Sequence, residues 1–323
     1  MKNTTPLVSA VITTHNRIDL LKRAIKSVQD QTYRNIELIV VDDASTDGTT
    51  EYCESCDFTF IHIPKEESRG GNHARNMGIL AAHGEYIAFL DDDDYWFADK
   101  IEKQMAVMES NDCELVHCGR RDEIITKDGI KYRDKLPKPI QYGDCSRKVL
   151  QEISATTTNI LVKRQALLDV GLFDEDLRFW QEYELLIRLA QRKPFCCVHE
   201  PLSMYRIDVN DKARLTNKYF EWKKAVAYIH EKHKDLYAKL NRRESFRVKV
   251  LIWKDGAKRC KTSGLYIRFF FLGTFYALGS TALMVLDKVG GAKRSNEIIT
   301  FKALPAVQYE PVCISSYYRR ACV

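Results

Sequence analysis

The first 120 residues alternate short apolar runs with stretches of helical periodicity, and few architectures accept that pattern. Runs at residues 7–12, 37–41, 58–63 and 86–90 have the length of buried strands. Between them, residues 18–29 place Leu20, Leu21, Ala24, Ile25 and Val28 at helical spacing, and residues 72–82 read as a helix ended by Gly84. Residues 99–108 read as the next helix and 114–118 as a further strand. Strands separated by helices predict an α/β chain on a parallel, doubly wound sheet, with ligands bound at the carboxyl ends of the strands.

Four consecutive aspartates, Asp91, Asp92, Asp93 and Asp94, follow the run that ends at Leu90, where a strand leaves the sheet. Two like charges about 5 Å apart repel by roughly 3 kcal/mol at an effective dielectric of ~20. Such a cluster needs a compensating cation, and oxygen donors without nearby His or Cys suit hard Mg²⁺ or Mn²⁺. A second acidic segment, Asp42-Asp43-Ala44-Ser45-Thr46-Asp47-Gly48-Thr49, follows the 37–41 run. Asp47 and Gly48 read as a helix cap and a turn. That reading does not require both Asp42 and Asp43, one of which can accept an N–H from a nucleobase.

Four motifs occur in order: Val11-Ile12-Thr13-Thr14-His15-Asn16-Arg17, the segment from Val40 to Thr49, Ala74-Arg75-Asn76, and Phe89-Leu90 with the tetrad. Over about residues 6–208 the chain resembles the family-2 inverting glycosyltransferases of the GT-A fold, which build bacterial surface polysaccharide, lipopolysaccharide and capsule. The resemblance implies a mixed sheet flanked by helices and a nucleotide diphosphate sugar donor, most often UDP-linked. It implies that Thr13, Arg17, Asp43, Arg75, Asp91 and Asp92 bind the nucleotide sugar. Asp91 and Asp93 match the family's Asp-x-Asp motif and would hold Mn²⁺ or Mg²⁺, Asp93 as the direct ligand. Asp94 is divided between a cap of the following helix and a residue facing elsewhere.

Residues 181–191 read as a helix. Glu182 shares a face with Leu185, Leu186 and Leu189, whereas Glu184 faces Arg188 as an i,i+4 surface pair. An ionised carboxylate at a helix start is favoured by the dipole. The segment resembles the family's Glu-Asp signature with Gln181 and Glu182 in its place, and Glu182 is assigned as the catalytic base. Trp180 beside it is either a platform for an acceptor sugar or a core aromatic. Asp208 stands where the family often has a histidine, so no His ligand is carried over. Arg206, Lys212 and Arg214 are either a solvated basic loop or a closure over the diphosphate. His15, His73 and His199 read as structural.

The catalytic domain is expected over 1–210, a basic helical extension over 211–292 and an irregular tail over 293–323. Residues 127–141 read as a polar excursion from the sheet. Phe246, Val250, Trp253 and Ala257 share one apolar face, and the uncharged run 269–286 is near the length of a membrane span. It is read as spanning, as lying on the inner membrane, or as docked on the domain. The chain carries a net charge of +6, unevenly: the first half holds the aspartate clusters and residues 218–268 are rich in Lys and Arg. That asymmetry suits lipid headgroups and not sequence-specific nucleic-acid binding. Residues 1–5 lack the apolar core of an export signal, and Cys53-x-x-Cys56 has no partner motif. The expectation is therefore reduced thiols and a place at the cytoplasmic face of the membrane.

The partners expected are the donor and a glycan or lipid-linked glycan acceptor in bacterial surface-polysaccharide synthesis. The rivals are a nucleotidyltransferase, disfavoured because Thr13 to Arg17 holds no glycine for a phosphate loop, and a non-catalytic nucleotide-sugar-binding module.

Overall fold

The computed structural model describes residues 5–211 and 218–289. The tail assigned to 293–323, and Lys212 and Arg214, lie outside the described residues. Nine strands form one mixed sheet. The parallel half is β1 (Val8–Thr14), β2 (Ile36–Asp43), β3 (Thr59–Ile63) and β4 (Tyr86–Asp91), ordered β3-β2-β1-β4. It continues through β8 (Ile160–Lys163), β6 (Leu115–Thr126), β9 (Phe195–Asp208) and the two-residue β5 (Tyr95–Trp96). β8 is antiparallel to both β4 and β6, so it interrupts the parallel order, which resumes where β6 pairs with β9.

Alternation along the strands divides the core into two faces. Val8, Ala10, Ile12, Val40, Ala88 and Leu90 pack under α1 (Ile18–Gln29), α2 (Thr49–Glu54) and α4 (Lys100–Glu109). Val11, Ile39, Val41, Ile87 and Phe89 face α3 (Gly71–Ala81), α5 (Arg164–Asp169) and α6 (Gln181–Leu189). Continuing the second series by two residues puts Thr13, Asp43 and Asp91 at three adjacent strand ends on one face.

The polar excursion at 127–141 is largely a hairpin. Gly129–Lys135 forms β7 against β6, with Thr126 opposite Gly129 across a two-residue turn and Gly129 at φ +117°. Every β7 residue is exposed, so no apolar alternation marked it as a strand. β9 runs unbroken from 195 to 208 and bends with β6 at Gly119. A Cβ on Gly119 would lie 2.8 Å from the backbone oxygens of both Glu200 and Lys135.

Beyond the sheet follow α7 (Tyr219–Lys232), α8 (Lys234–Ala238), α9 (Arg242–Thr262) and α10 (Tyr266–Val289). Tyr219, Trp222, Val226 and Ile229 of α7 and Leu251 and Cys260 of α9 belong to the same buried cluster as α3 and α6. The predicted apolar face of α9 receives α10: Trp253 packs on Phe275, and Gly279 admits Val250 and Trp253.

Candidate active site

A cleft of about 450 Å³ opens at the carboxyl ends of the parallel strands, within the ~300–1,000 Å³ typical of small-molecule sites. Its lining includes Thr13, Arg17, Asp43, Arg75, Asp91, Asp92, Asp93 and Glu182, so eight of the nine residues singled out from sequence share one cavity.

Two loops build its floor. Asp47 accepts the backbone amides of Ile18 and Thr49, tying the starts of α1 and α2 together, while Gly48 at φ +89° makes the turn. The side chain of Asn16, itself left-handed, accepts from the Thr46 amide, and the Asn16 amide donates to Ser45 Oγ. The adjacent aspartates of this turn are unlike. Asp42 is fully buried and accepts from the Ser45 amide, Thr50 Oγ1 and His62 Nδ1 at 2.9–3.1 Å. Asp43 is buried too, but its Oδ1 has no hydrogen-bond partner. A buried acceptor left unpaired costs roughly 1–3 kcal/mol, and persists where a ligand completes it. His15 Nδ1 meets the Asp43 backbone oxygen at 2.6 Å, the contact of a positioning residue inside the cleft.

The tetrad divides by alternation. Asp91 lies 2.7 Å from a guanidinium nitrogen of Arg75, the fifth residue of α3. Asp92 turns inward, accepting from Thr14 Oγ1 and Arg17, each at 2.9 Å. Arg17 also approaches Asp93 at 3.4 Å. Asp94 does not cap the following helix, which starts at Lys100. It is buried, and accepts Thr158 Oγ1 at 2.7 Å and the Arg206 amide at 2.9 Å, joining β4 to β9. Burial pushes Asp92 up to about 6; Arg17 opposes the rise and Asp93 adds to it. Burial also raises Asp94 well above the usual carboxylate range, and Asp93 and Asp91 raise it further. Burial is the main cause of both shifts, and the neighbouring carboxylates add to it, with Arg17 and Arg75 the guanidinium partners of Asp92 and Asp91. A set of carboxylate oxygens from Asp91, Asp92 and Asp93 lining one cleft fits a hard divalent cation. Among the described residues no group of three or more His, Cys, Asp or Glu side chains is arranged to hold a metal. A cation at Asp91 and Asp93 would therefore take its remaining donors from phosphate and water.

Glu182, on the first turn of α6, is half-buried. Burial raises its pKa; its own amide and Arg75 pull it back, while Asp91 pushes it up. A carboxylate moved toward neutrality in a cleft has the character of a general base.

Two readings fail here. Trp180 is no sugar platform: it is 5% exposed, packs edge-on against Tyr183 and Trp222, and donates its indole N–H to Asp255 of α9 at 2.9 Å. The non-glycine residue sits at φ +56°, a strained conformation held by these contacts. Glu184 is not a surface pair either. It is fully buried, bonded to Arg188, to Lys232 at 2.9 Å and to His233 at 3.0 Å, and welds α6 to α7. Burial would raise its carboxyl, but His233, Arg188 and Lys232 more than offset that and hold it far below the usual range. Thr156 and Thr157 also line the cleft, with no motif around them to mark them in advance, and so do Tyr205, Arg206 and Asp208 from the segment in which Asp208 stands at the family's histidine position.

Residues 9–171 match the family described as glycosyl transferase family 2, half of the chain, and the protein belongs to that family. An uncharacterized glycosyltransferase of Rickettsia conorii is 32% identical over 204 residues, 62% of this chain and 33% of the relative. The chain thus spans about a third of that relative's length. A second relative, from Escherichia coli, is the UDP-Glc:alpha-D-GlcNAc-diphosphoundecaprenol beta-1,3-glucosyltransferase WfaP, 33% identical over 179 residues, 54% of this chain and 68% of WfaP. The mannosyltransferase PcManGT from Pyrobaculum calidifontis, solved with GDP-Man and Mn²⁺, superposes with a TM-score of 0.53 at 17% identity, covering 90% of this chain and 89% of its own. That likeness establishes the fold, a glycosyltransferase sheet flanked by helices, as the motifs predicted.

Proposed function

We propose that the chain is an inverting glycosyltransferase of bacterial surface-glycan synthesis. It would move a sugar from a UDP-linked donor to a hydroxyl of a glycan or lipid-linked glycan, at the cytoplasmic face of a membrane. The observation that carries this reading is the unpaired Asp43 Oδ1 in the same cleft as Asp91, Asp93 and Glu182. Asp43 would accept the base N–H, with Thr13 beside it, and Arg17 and Arg75 would attend the diphosphate. A UDP donor is supported by the name of WfaP and by a single acceptor at the base position.

Asp91 and Asp93 would hold Mn²⁺ or Mg²⁺, which when bound neutralises charge on the leaving diphosphate. Glu182 takes the proton of the acceptor hydroxyl. The hydroxyl oxygen then bonds to the anomeric carbon from the face opposite the leaving group. The carbon–oxygen bond to the diphosphate breaks, the electron pair departs with UDP, and the configuration inverts. Arg75, 2.7 Å from Asp91 and pulling the Glu182 carboxyl back toward its ionised form, would stabilise charge on both the base and the diphosphate.

Thermal unfolding of the whole chain with UDP-sugars and with GDP-mannose, each with and without Mn²⁺, tests the proposal. Stabilisation by one UDP-sugar that grows with the metal is expected; a ligand at 100 times its Kd adds about 2.7 kcal/mol. No shift with any donor, with or without metal, would sink the assignment.

A further inference from the structure

α10 is the one helix among the described residues long and apolar enough to cross a membrane. Its surroundings determine how it meets one. A turn through Gly264, at φ +73°, folds α10 back along α9. Leu272 then meets Gly256, Phe275 meets Trp253, Gly279 meets Val250, and Asp287 pairs with Arg243 and Arg247 near the start of α9. The two helices are antiparallel neighbours over almost their whole lengths. α9 carries exposed Lys249, Lys254, Lys258 and Lys261, and its buried side is part of the protein core. Crossing a bilayer would require α10 to drag these charges into hydrocarbon, or to surrender every contact named above.

Among the described residues nothing covers the opposite face of α10. Ile267 is 77% exposed, Phe270 69% and Leu278 66%, and Phe271 and Met284 are exposed as well. Residues 218–287 hold fifteen Lys and Arg against six Asp and Glu, so this region carries more positive charge than the entire chain's net +6. An apolar face with basic neighbours complements an anionic lipid surface, and two copies of it would repel each other.

We propose that α9 and α10 form a hairpin that lies flat on a bilayer rich in anionic lipid. The Ile267, Phe270 and Leu278 face of α10 enters one leaflet, and the lysines of α9 remain among the headgroups. This deepens the membrane placement proposed above, and its test involves no sugar, so either reading can fail alone.

The test is co-sedimentation of the full chain with vesicles of phosphatidylcholine alone and of equal parts phosphatidylcholine and phosphatidylglycerol. Binding about tenfold or more tighter to the anionic vesicles is expected, with release by high salt followed by alkaline carbonate. Ile267→Ser with Phe270→Ser should abolish binding at an unchanged unfolding temperature, and Leu278→Ser alone should weaken it. Three results would overturn the inference: no preference for anionic vesicles, retention until detergent is added, or a dimer in solution that the double variant dissolves.

Discussion

Asp42 and Asp43 are chemically identical, adjacent and both buried, and the structure gives them opposite surroundings: Asp42 is fully hydrogen-bonded and Asp43 Oδ1 is not. Replacing Asp43 with Ala removes an oxygen that satisfies nothing in the free protein. Folding should not suffer, because an unpaired buried acceptor is itself worth roughly 1–3 kcal/mol of destabilisation. Binding should suffer, because a hydrogen bond from a base N–H to a charged acceptor contributes about 1.5–3 kcal/mol, or roughly ten- to hundred-fold in Kd. The loss should be equal for UDP and a UDP-sugar, since the contact is to the base. Asp42→Ala has the reverse signature. It strips partners from the Ser45 amide, Thr50 and His62 inside the core, costing about 2–4 kcal/mol and several degrees of unfolding temperature. Calorimetric titration with UDP and Mn²⁺, alongside thermal unfolding of both variants, separates the two. If Asp43→Ala destabilises the fold as Asp42→Ala does and binds UDP normally, the assignment of the base contact is wrong.

Glu182→Gln should abolish transfer while sparing donor binding. Its folded-state pKa is raised, so ionisation works against the fold at neutral pH, and the amide should unfold at a higher temperature than the parent. For the same reason the acid limb of the rate profile of the parent should lie above the ordinary glutamate range near 4.3. Glu184 has the opposite sign. Its depressed pKa supplies stability that is complete above the unfolded value and is lost as pH falls through the folded one, so Glu184→Gln should flatten the acid-unfolding curve and lower stability at pH 7. A variant as stable as the parent at pH 7 would remove the weld assigned to it.

The parallel half of the sheet and its acidic turns were legible because they are local. Each strand is a short apolar run, each turn carries its own Asp or Gly, and period-two alternation alone aligns Thr13, Asp43 and Asp91. What the sequence concealed depends on partners distant along the chain. Glu184 looks like a surface residue until α7 brings Lys232 and His233 to it, and Asp94 resembles a cap until β9 supplies the Arg206 amide. Trp180 sits beside Glu182 in sequence, but Asp255, 75 residues on, draws its ring out of the cleft. β7 was invisible for a different reason: an edge strand exposed on every residue has no buried face to leave a pattern.

The joint between Trp180 and Asp255 bears on how such an enzyme can be dissected. Arg259 donates to the same Asp255 carboxylate and lies over the rings of Phe179 and Trp222. The peptide that leads into Glu182 is therefore clamped by a helix more than seventy residues downstream. Severing the chain near 210 would take away Asp255 and Arg259 together, leave the Trp180 indole facing water where a neighbour belongs, and free a left-handed joint two residues before Glu182. The later helices are the far jaw of the vice that holds the chemistry, so transplanting the nucleotide half without them would carry over the motifs and lose their alignment.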